Sequence, residues 1–583
     1  MKNLVFTMLL LSLFCLVFAG NLTEAQTRQI AQAWLRHVGS DATVQDYSDL
    51  SQGDSHSLAR VYRLQPQGFI VVTISEKLPP VVAYSLDSGF DTSETNPASA
   101  LLTNQLQLSL SLPESYAQVN RQKRLDLLNG LPRDDFQQWP PEGSSVTGGW
   151  VKTRWNQTGP YNALCPMDPV TQCRSLAGCP AVAMSQIINY HQQLNGTLFS
   201  DADDYFHNYA GRQYSIDNDH EAQDFPSWDE LNNYMTALAD TYWQSQAPEA
   251  MQKAALVFAT GVAAHQVFSS EGSGTFAVSQ AYSAIQRFGY NSAVLITQDT
   301  PELWNRIIQN IQEAKPVLYA CVTPEWDAGH NLVVDGYNTD NYYHLNFGWG
   351  GSSDGWFLLP TSLPYNLSVV EGVVVDIVPP QYLLCMPEQL VFDTTTDLYL
   401  GLDFEILNIS DTNLVIEAFD FPPLGDTQFA VIPSQPLPYT LGSGQSFYGH
   451  ISGDTPIRSY INHQMRIKHS RGYQIYPVLF NDEISVANEE EFIPAPTSQI
   501  IAYPNPFHNE LKISLQGEIK AGESLEIYNL RGQKVAEHLL QNSASGQDWA
   551  WEARDAKGRS LAPGIYLLRL KHRPEQIRKI VKY

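Results

Sequence analysis

The sequence predicts an α+β protein of several domains, with a central two-lobed domain followed by two all-β, sandwich-like units. Three observations predict this. At 583 residues the chain is too long for a single hydrophobic core. Between residues 149 and 378 helical patterns come first and β-rich segments second, the segregation expected of an α+β domain. Beyond Pro379-Pro380 apolar residues alternate with period two and no convincing helical pattern appears. Hydrophobic content of 43%, with 11% aromatics, is that of a folded chain. A net charge of −26 argues against nucleic acid and anionic lipid as partners.

The N-terminus sets the compartment. Lys2 gives a short basic start, residues 4–18 form an apolar run, and Ala19-Gly20 offers small residues for cleavage. Residues 1–19 are read as a secretory signal; a membrane anchor is the alternative, but the run is short and no stop-transfer flank follows. No later run is long enough to span a bilayer, so no integral membrane segment is expected in the mature form. Residues 20–140 combine a helical pattern over 25–38 with strands over 60–64 and 68–73 and a second helix over 101–112. From about 130 to 148 the composition turns polar and rich in Pro and Gly, which reads as a linker and a place for processing.

Residues 141–378 form the central domain. Ser227-Trp228-Asp229-Glu230 has the form of a capping box opening a helix, and further helical patterns cover 248–266, 277–287 and 302–314. Strands follow over 316–322, 331–337, 342–347 and 355–359. Residues 379–493 alternate as an immunoglobulin-like β-sandwich would, and 498–583 form a last small β unit with a basic finish.

Loss of the signal removes Cys15 and leaves Cys165, Cys173, Cys179, Cys321 and Cys385. Five is odd, so at least one thiol is unpaired or pairs between chains. Cys165 and Cys173 lie close enough in sequence for a local disulfide. None of the spacings is that of a structural zinc site, and no metal is expected. The acidic run Asp201-Ala202-Asp203-Asp204 lacks the full calcium-loop spacing and reads as a solvated loop.

Cys179 follows a glycine and opens a segment with apolar residues at 184, 187 and 188, one buried helical stripe. A thiol at a helix N-terminus sits at the positive end of the macrodipole, which favours the nucleophilic thiolate. Pro180 fits the first helical turn. Taken alone, a small core cysteine is an equal reading. A nucleophile needs a base, a group to orient that base and donors for the oxyanion. Six histidines compete for the role of base. His207 and His220 fall in a polar, Asp-rich stretch and His265 in a helical pattern. His191 is twelve residues along the same helix, about 18 Å away. His344 lies within a strand among structural neighbours. His330 opens a strand where a cleft can form, and Asn346 is placed by a turn at 338–341 to orient its ring.

Three stretches then take on a familiar form: Gly178-Cys179 with Ala181-x-Ala183-Met184-Ser185-Gln186-Ile187, residues 329–337 around His330, and His344-Leu345-Asn346-Phe347-Gly348-Trp349-Gly350-Gly351. Together with Trp155-Asn156-Gln157-x-x-Pro160-Tyr161-Asn162, Gly272-Ser273-Gly274 and Phe288-Gly289-Tyr290, they resemble the streptopain family of papain-like cysteine peptidases, in family order. The resemblance implies a papain-like two-lobed fold with Cys179 as nucleophile and His330 as general base, then acid. It further implies Gln157 as an oxyanion donor beside the Cys179 N–H, Asn346 as orienter and Trp349 as shield. Pro180 replaces a branched residue and Phe347 a tryptophan. No cofactor is implied.

The stretches 68–73 and 81–85 make the N-terminal domain resemble the family's propeptide or inhibitor-type domain, which would keep the peptidase latent as an intramolecular inhibitor. The segments 503–507, 527–532, 563–570 and 579–582 resemble the sorting domain of type IX secretion cargo. This implies type IX machinery as a partner and a secreted or outer-surface location in a Gram-negative, Bacteroidetes-type bacterium. The reading is a secreted cysteine endopeptidase zymogen acting on protein or peptide substrates. A non-catalytic adhesin or inhibitor on the same fold, and an acyltransferase using the same dyad, are the alternatives.

Overall fold

The computed structural model describes residues 21–481 and 498–582. Excepted are 52–56, 91–105, 107–108, 131–135, 324–325, 327–328, 360–368, 394–400, 423–428, 454–460, 504–506, 508–509, 518–522, 530–533, 542–546, 556–557, 563 and 572. The expected signal, 1–19, and much of the helix expected over 101–112 fall outside the described residues. Two compact units result, Met1–Glu483 and Ile484–Tyr583.

The first unit begins with α1 (Glu24–His37), whose N-terminus is closed by a reciprocal capping box between Thr23 and Gln26. Strands β1 (Thr43–Ser51), β2 (Ser57–Gln65), β3 (Phe69–Thr73) and β4 (Val81–Ser85) follow, and then α2 (Glu114–Asn129). Both faces of β3 and β4 are buried, which explains their unbroken apolar runs in place of alternation. Next come β5 (Gln138–Trp139), α3 (Cys179–His191) and the hairpin β6 (Tyr205–Tyr209) and β7 (Arg212–Ile216). Helices α4 (Trp228–Trp243), α5 (Ala250–Ala263) and α6 (Val278–Arg287) complete the helical lobe. The β lobe holds β8 (Val294–Ile296), α7 (Pro301–Gln312), β9 (Val317–Val322), β10 (Gly329–Asn338), β11 (Tyr342–Asn346), β12 (Gly355–Leu358) and β13 (Val369–Val375).

One antiparallel, eleven-stranded sheet runs through all of this, in the order β1-β2-β3-β4-β12-β11-β10-β9-β13-β8 with β5 also paired to β10. The N-terminal domain therefore joins the β lobe edge to edge, with Tyr84 opposite Trp356 and Ala83 opposite Phe357. Such pairing hides two sheet edges that would otherwise be open. The stretch expected to act as a linker is only partly one. Within it β5 pairs with Tyr337 and Asn338, and the Trp150 N–H donates to the Asp335 carbonyl at 2.8 Å.

Helix α3 departs from its expected single stripe, since every residue from Pro180 to Ile188 is buried. It runs through the core of the helical lobe, where the Ser185 hydroxyl meets Thr260 of α5 at 2.8 Å. The capping box at Ser227 and Glu230 opens α4 as expected. Residues 383–481 form a four-stranded and a five-stranded sheet around a shared core that includes Phe404, Phe447 and Tyr476. No helix occurs among their described residues. The second unit has a three-stranded and a four-stranded sheet around Leu511, Ile513, Leu525, Ile527 and Leu568.

Gly149 tests the anchoring of the peptidase segment on β10. A Cβ there would lie 2.2 Å from the Asp335 carboxylate, which accepts the Val151 N–H at 2.8 Å. Gly149→Ala should lower stability by about 3 kcal/mol or more in urea unfolding. An unchanged midpoint contradicts this packing.

Candidate active site

Cys179 is the first residue of α3, and Gly178 caps the helix with φ +84°. Only glycine fits there, because a Cβ would come within 2.6 Å of Gln266 Oε1. Gln266 Nε2 in turn donates to the Ala177 carbonyl at 2.8 Å. The Ala177 N–H donates to the Gln157 carbonyl at 2.8 Å, which ties Gln157 to the chain two residues before Cys179. Gln157 is half-buried, and no hydrogen bond from its side chain is found among the described residues.

Cys179 is half-buried, and its thiol accepts the Asn331 N–H at 3.4 Å. Burial pushes the thiol up to about 11, against the opposing pull of the Asn331 backbone and side chain and its own N–H. The thiolate expected from the helix dipole is therefore not the resting form, because desolvation outweighs the dipole. His330 stands at the second residue of β10, next to Asn331, so the strand brings the backbone beside His330 against the thiol at the start of α3. No hydrogen bond joins the two. His330 Nε2 is instead 2.8 Å from the Phe347 carbonyl, an acceptor only. Nε2 must then carry the proton, which leaves Nδ1 with a free lone pair. Burial lowers this imidazole to about 4, the Phe347 carbonyl partly opposing it, so the resting ring is neutral.

Trp349 covers the imidazole with ring centroids 4.5 Å apart, and Phe347 stacks on Trp349 at 4.8 Å. Trp349 thus packs on the imidazole itself. Asn346 differs from expectation, since it does not contact the imidazole. Its Oδ1 accepts Gln186 Nε2 at 3.0 Å and the Gly348 N–H at 3.1 Å, and its Nδ2 donates to the Thr153 carbonyl at 2.8 Å. A backbone carbonyl one residue on does the orienting, and Asn346 holds the loop that presents it.

Sequence reasoning missed three supports. Gln186 Oε1 accepts from the Thr153 hydroxyl at 2.9 Å and the Trp155 N–H at 3.1 Å. Asp354 accepts the Phe347 N–H at 2.9 Å, fixing the peptide whose neighbour holds His330. Burial pushes Asp354 up to about 7, with Phe347, His344 and Arg154 opposing and Asp335 reinforcing. Asp335 of β10 bonds His344 Nδ1 of β11 at 2.6 Å, a buried pair between the two strands.

The other histidines stay outside the site. His191 ends α3, His207 is buried in β6 and not in a solvated loop, and His265 stacks on Tyr205 at 4.8 Å. His220 bonds the Asp217 carbonyl at 2.8 Å. All five cysteines among the described residues are free, so the expected Cys165–Cys173 disulfide is absent: Cys165 is buried and Cys173 exposed. Asp201, Asp204 and Asp217 cluster on the surface, where Asp204 accepts the Trp228 indole N–H at 2.8 Å.

Residues 155–357 match the peptidase C10 family, 19–110 the Spi protease inhibitor family, and 501–583 the secretion system C-terminal sorting domain. The chain is 28% identical over 338 residues to streptopain of Streptococcus pyogenes serotype M28, covering 54% of this chain and 76% of that protein. It is 25% identical over 410 residues to the thiol protease/hemagglutinin PrtT of Porphyromonas gingivalis, covering 64% of this chain and 42% of that protein. Among solved structures, a fragment of Prevotella intermedia prointerpain A aligns over 58% of this chain and 100% of that one, with TM-score 0.39 and 21% identity. The chain thus carries a cysteine-type peptidase domain behind an inhibitor-like propeptide domain, with a type IX sorting domain at its end.

Two outcomes check this electrostatic arrangement. Iodoacetamide should alkylate Cys179 of the full chain at pH 7.5 roughly a hundredfold slower than free cysteine, with exposed Cys173 as the internal reference by peptide mass; equal rates contradict a desolvated thiol. The raised Asp354 carboxyl contributes stability below its unfolded value of 3.8 and loses it as pH rises through about 7. Wild type should lose on the order of 4 kcal/mol more than Asp354→Asn between pH 4 and 8, read by urea unfolding. Parallel pH profiles contradict it.

Proposed function

We propose that this protein is a secreted cysteine endopeptidase made as a zymogen, with Cys179 and His330 as its dyad. The observation that carries the assignment is the His330 ring. Its Nε2–H is committed to the Phe347 carbonyl, while its neighbour Asn331 donates to the Cys179 sulfur. That leaves an Nδ1 lone pair on the residue next to the thiol's hydrogen-bond donor, and a free imidazole lone pair is what general-base activation of a cysteine requires.

In the proposed cycle Nδ1 takes the thiol proton and the thiolate attacks the scissile carbonyl. The oxyanion is met by the Cys179 N–H and the Gln157 side-chain amide. The imidazolium then protonates the leaving amine, and the thioester forms as the C–N bond breaks. Water, deprotonated by Nδ1, hydrolyses the thioester and restores the thiol. Trp349 shields the imidazole throughout. Peptide and protein substrates fit the oxyanion donors, and no step calls on a cofactor.

Latency has two supports. In the full chain thiol and imidazole are both neutral and unbonded to each other, and the N-terminal domain occupies the free edge of β12. Removal of residues 20–140 would uncover that edge and readmit water, which lowers the thiol and raises the imidazole towards an ion pair. Export through type IX machinery to the cell surface or medium places the zymogen outside the cell.

Full-length protein activated by limited proteolysis should cleave casein. Cys179→Ala and His330→Ala should each lower the rate at least about a thousandfold. Casein cleavage undiminished in Cys179→Ala, or absent in correctly processed wild type, overturns the peptidase assignment.

A further inference from the structure

Where the N-terminal domain leaves β4 it crosses the rim of the cleft. Asp87 forms an ion pair with Arg154, the residue three before Gln157. The Gly89 carbonyl accepts the Ser353 N–H at 3.3 Å. Asp87 to Phe90, Arg154 and Gly350 to Ser352 together line an open groove of about 500 Å³.

Arg154 is built into this rim. The Gly350 N–H donates to the Trp155 carbonyl at 2.9 Å, so the glycine loop is tied to the arginine's own segment. Gly351 has φ +90°, and a Cβ there would lie 2.6 Å from Arg154 Cδ. The bare glycine lets the arginine stem lie under the loop, and its Nε is buried without a partner. Among the described residues Asp87 is the one ion-pair partner of Arg154. It belongs to the domain that activation removes. Behind Arg154, Asp335 is taken by His344, and Asp354 is only partly ionised near neutral pH, so neither replaces Asp87.

The side of the cleft follows from the chemistry. His330 protonates the leaving amine, so the chain beyond the scissile bond departs on the imidazole side. Trp349 covers that imidazole, and Gly350 and Gly351 follow within about 8 Å of it along the backbone. From these observations we infer that Arg154 is a specificity-determining residue, which binds an acidic side chain of the substrate on the leaving-group side once Asp87 has gone. In the latent chain Asp87 stands in for that side chain.

This inference rests on the peptidase assignment, and its test separates the two. Peptides are drawn from a site that the activated full-length protein cleaves in casein. Each pair differs only in Glu against Gln at one of the first three positions after the scissile bond. The readout is the Glu:Gln ratio of kcat/KM within each variant, which a change in folded fraction does not move. Wild type should favour Glu roughly tenfold at one of these positions. Arg154→Lys should keep part of that preference, Arg154→Gln should bring the ratio to about one, and Arg154→Glu should reverse it in favour of Gln. Wild type that cleaves both members alike, or a ratio unchanged in Arg154→Gln, overturns the subsite alone. Activated wild type that cleaves casein at no site overturns the peptidase assignment and the subsite with it.

Discussion

The buried amide pair of Gln186 and Asn346 is the constraint on which the site depends. Gln186 lies on the nucleophile helix and Asn346 at the end of β11, so two hydrogen-bonding side chains clamp the helical lobe to the β lobe. The same two amides also take the Thr153 hydroxyl, the Thr153 carbonyl and the Trp155 N–H, which fixes the segment leading to Gln157. Buried amides hold such positions because any partner lost would leave a desolvated polar group unpaired. From this clamp the rest follows in sequence. Asn346 pins the Gly348 N–H and Asp354 pins the Phe347 N–H, so the Phe347 carbonyl faces His330 and sets its tautomer.

A second balance decides the resting charge. A helix N-terminus stabilises an anion by up to about 2 kcal/mol in favourable geometry. The thiol nevertheless rises from 9.0 to about 11, a net cost to the thiolate of roughly 3 kcal/mol. Desolvation wins, and the imidazole is driven the same way, towards its neutral form. The N-terminal domain reaches this site through shared sheet structure and the Asp87–Arg154 pair at the rim, with no need to touch the thiol itself.

Much of this was legible in the sequence wherever a side chain carries the signal. Gly178-Cys179-Pro180 marks a helix start, and His330 at the opening of a β run marks a strand-borne base. The order of the α-rich and β-rich halves gave the two lobes. What escaped was carried by the backbone or by burial. The imidazole's partner is a carbonyl, which every residue possesses, so the nearest amide side chain, Asn346, attracted the role. Helix α3 looked amphipathic because its small residues, Ala181, Ala183 and Ser185, count as weakly apolar, yet small side chains are what a helix packed on all sides needs. The linker over 130–148 reads as turn-rich from its prolines and glycines. The pairing of Gln138 and Trp139 with β10 depends on residues two hundred positions away. The Cys165–Cys173 pairing rested on proximity in sequence alone, and burial of one thiol against exposure of the other separates them.

The account centres on a neutral His330 whose Nε2 proton is held by the Phe347 carbonyl. Nitrogen NMR of full-length protein labelled in histidine, with His330 assigned by the loss of its signals in His330→Gln, reads this state directly. The account predicts a protonated, pyrrole-type Nε2 and an unprotonated, pyridine-type Nδ1 at pH 7, persisting until pH falls to about 4. An imidazolium at pH 7, or a proton on Nδ1, would contradict it.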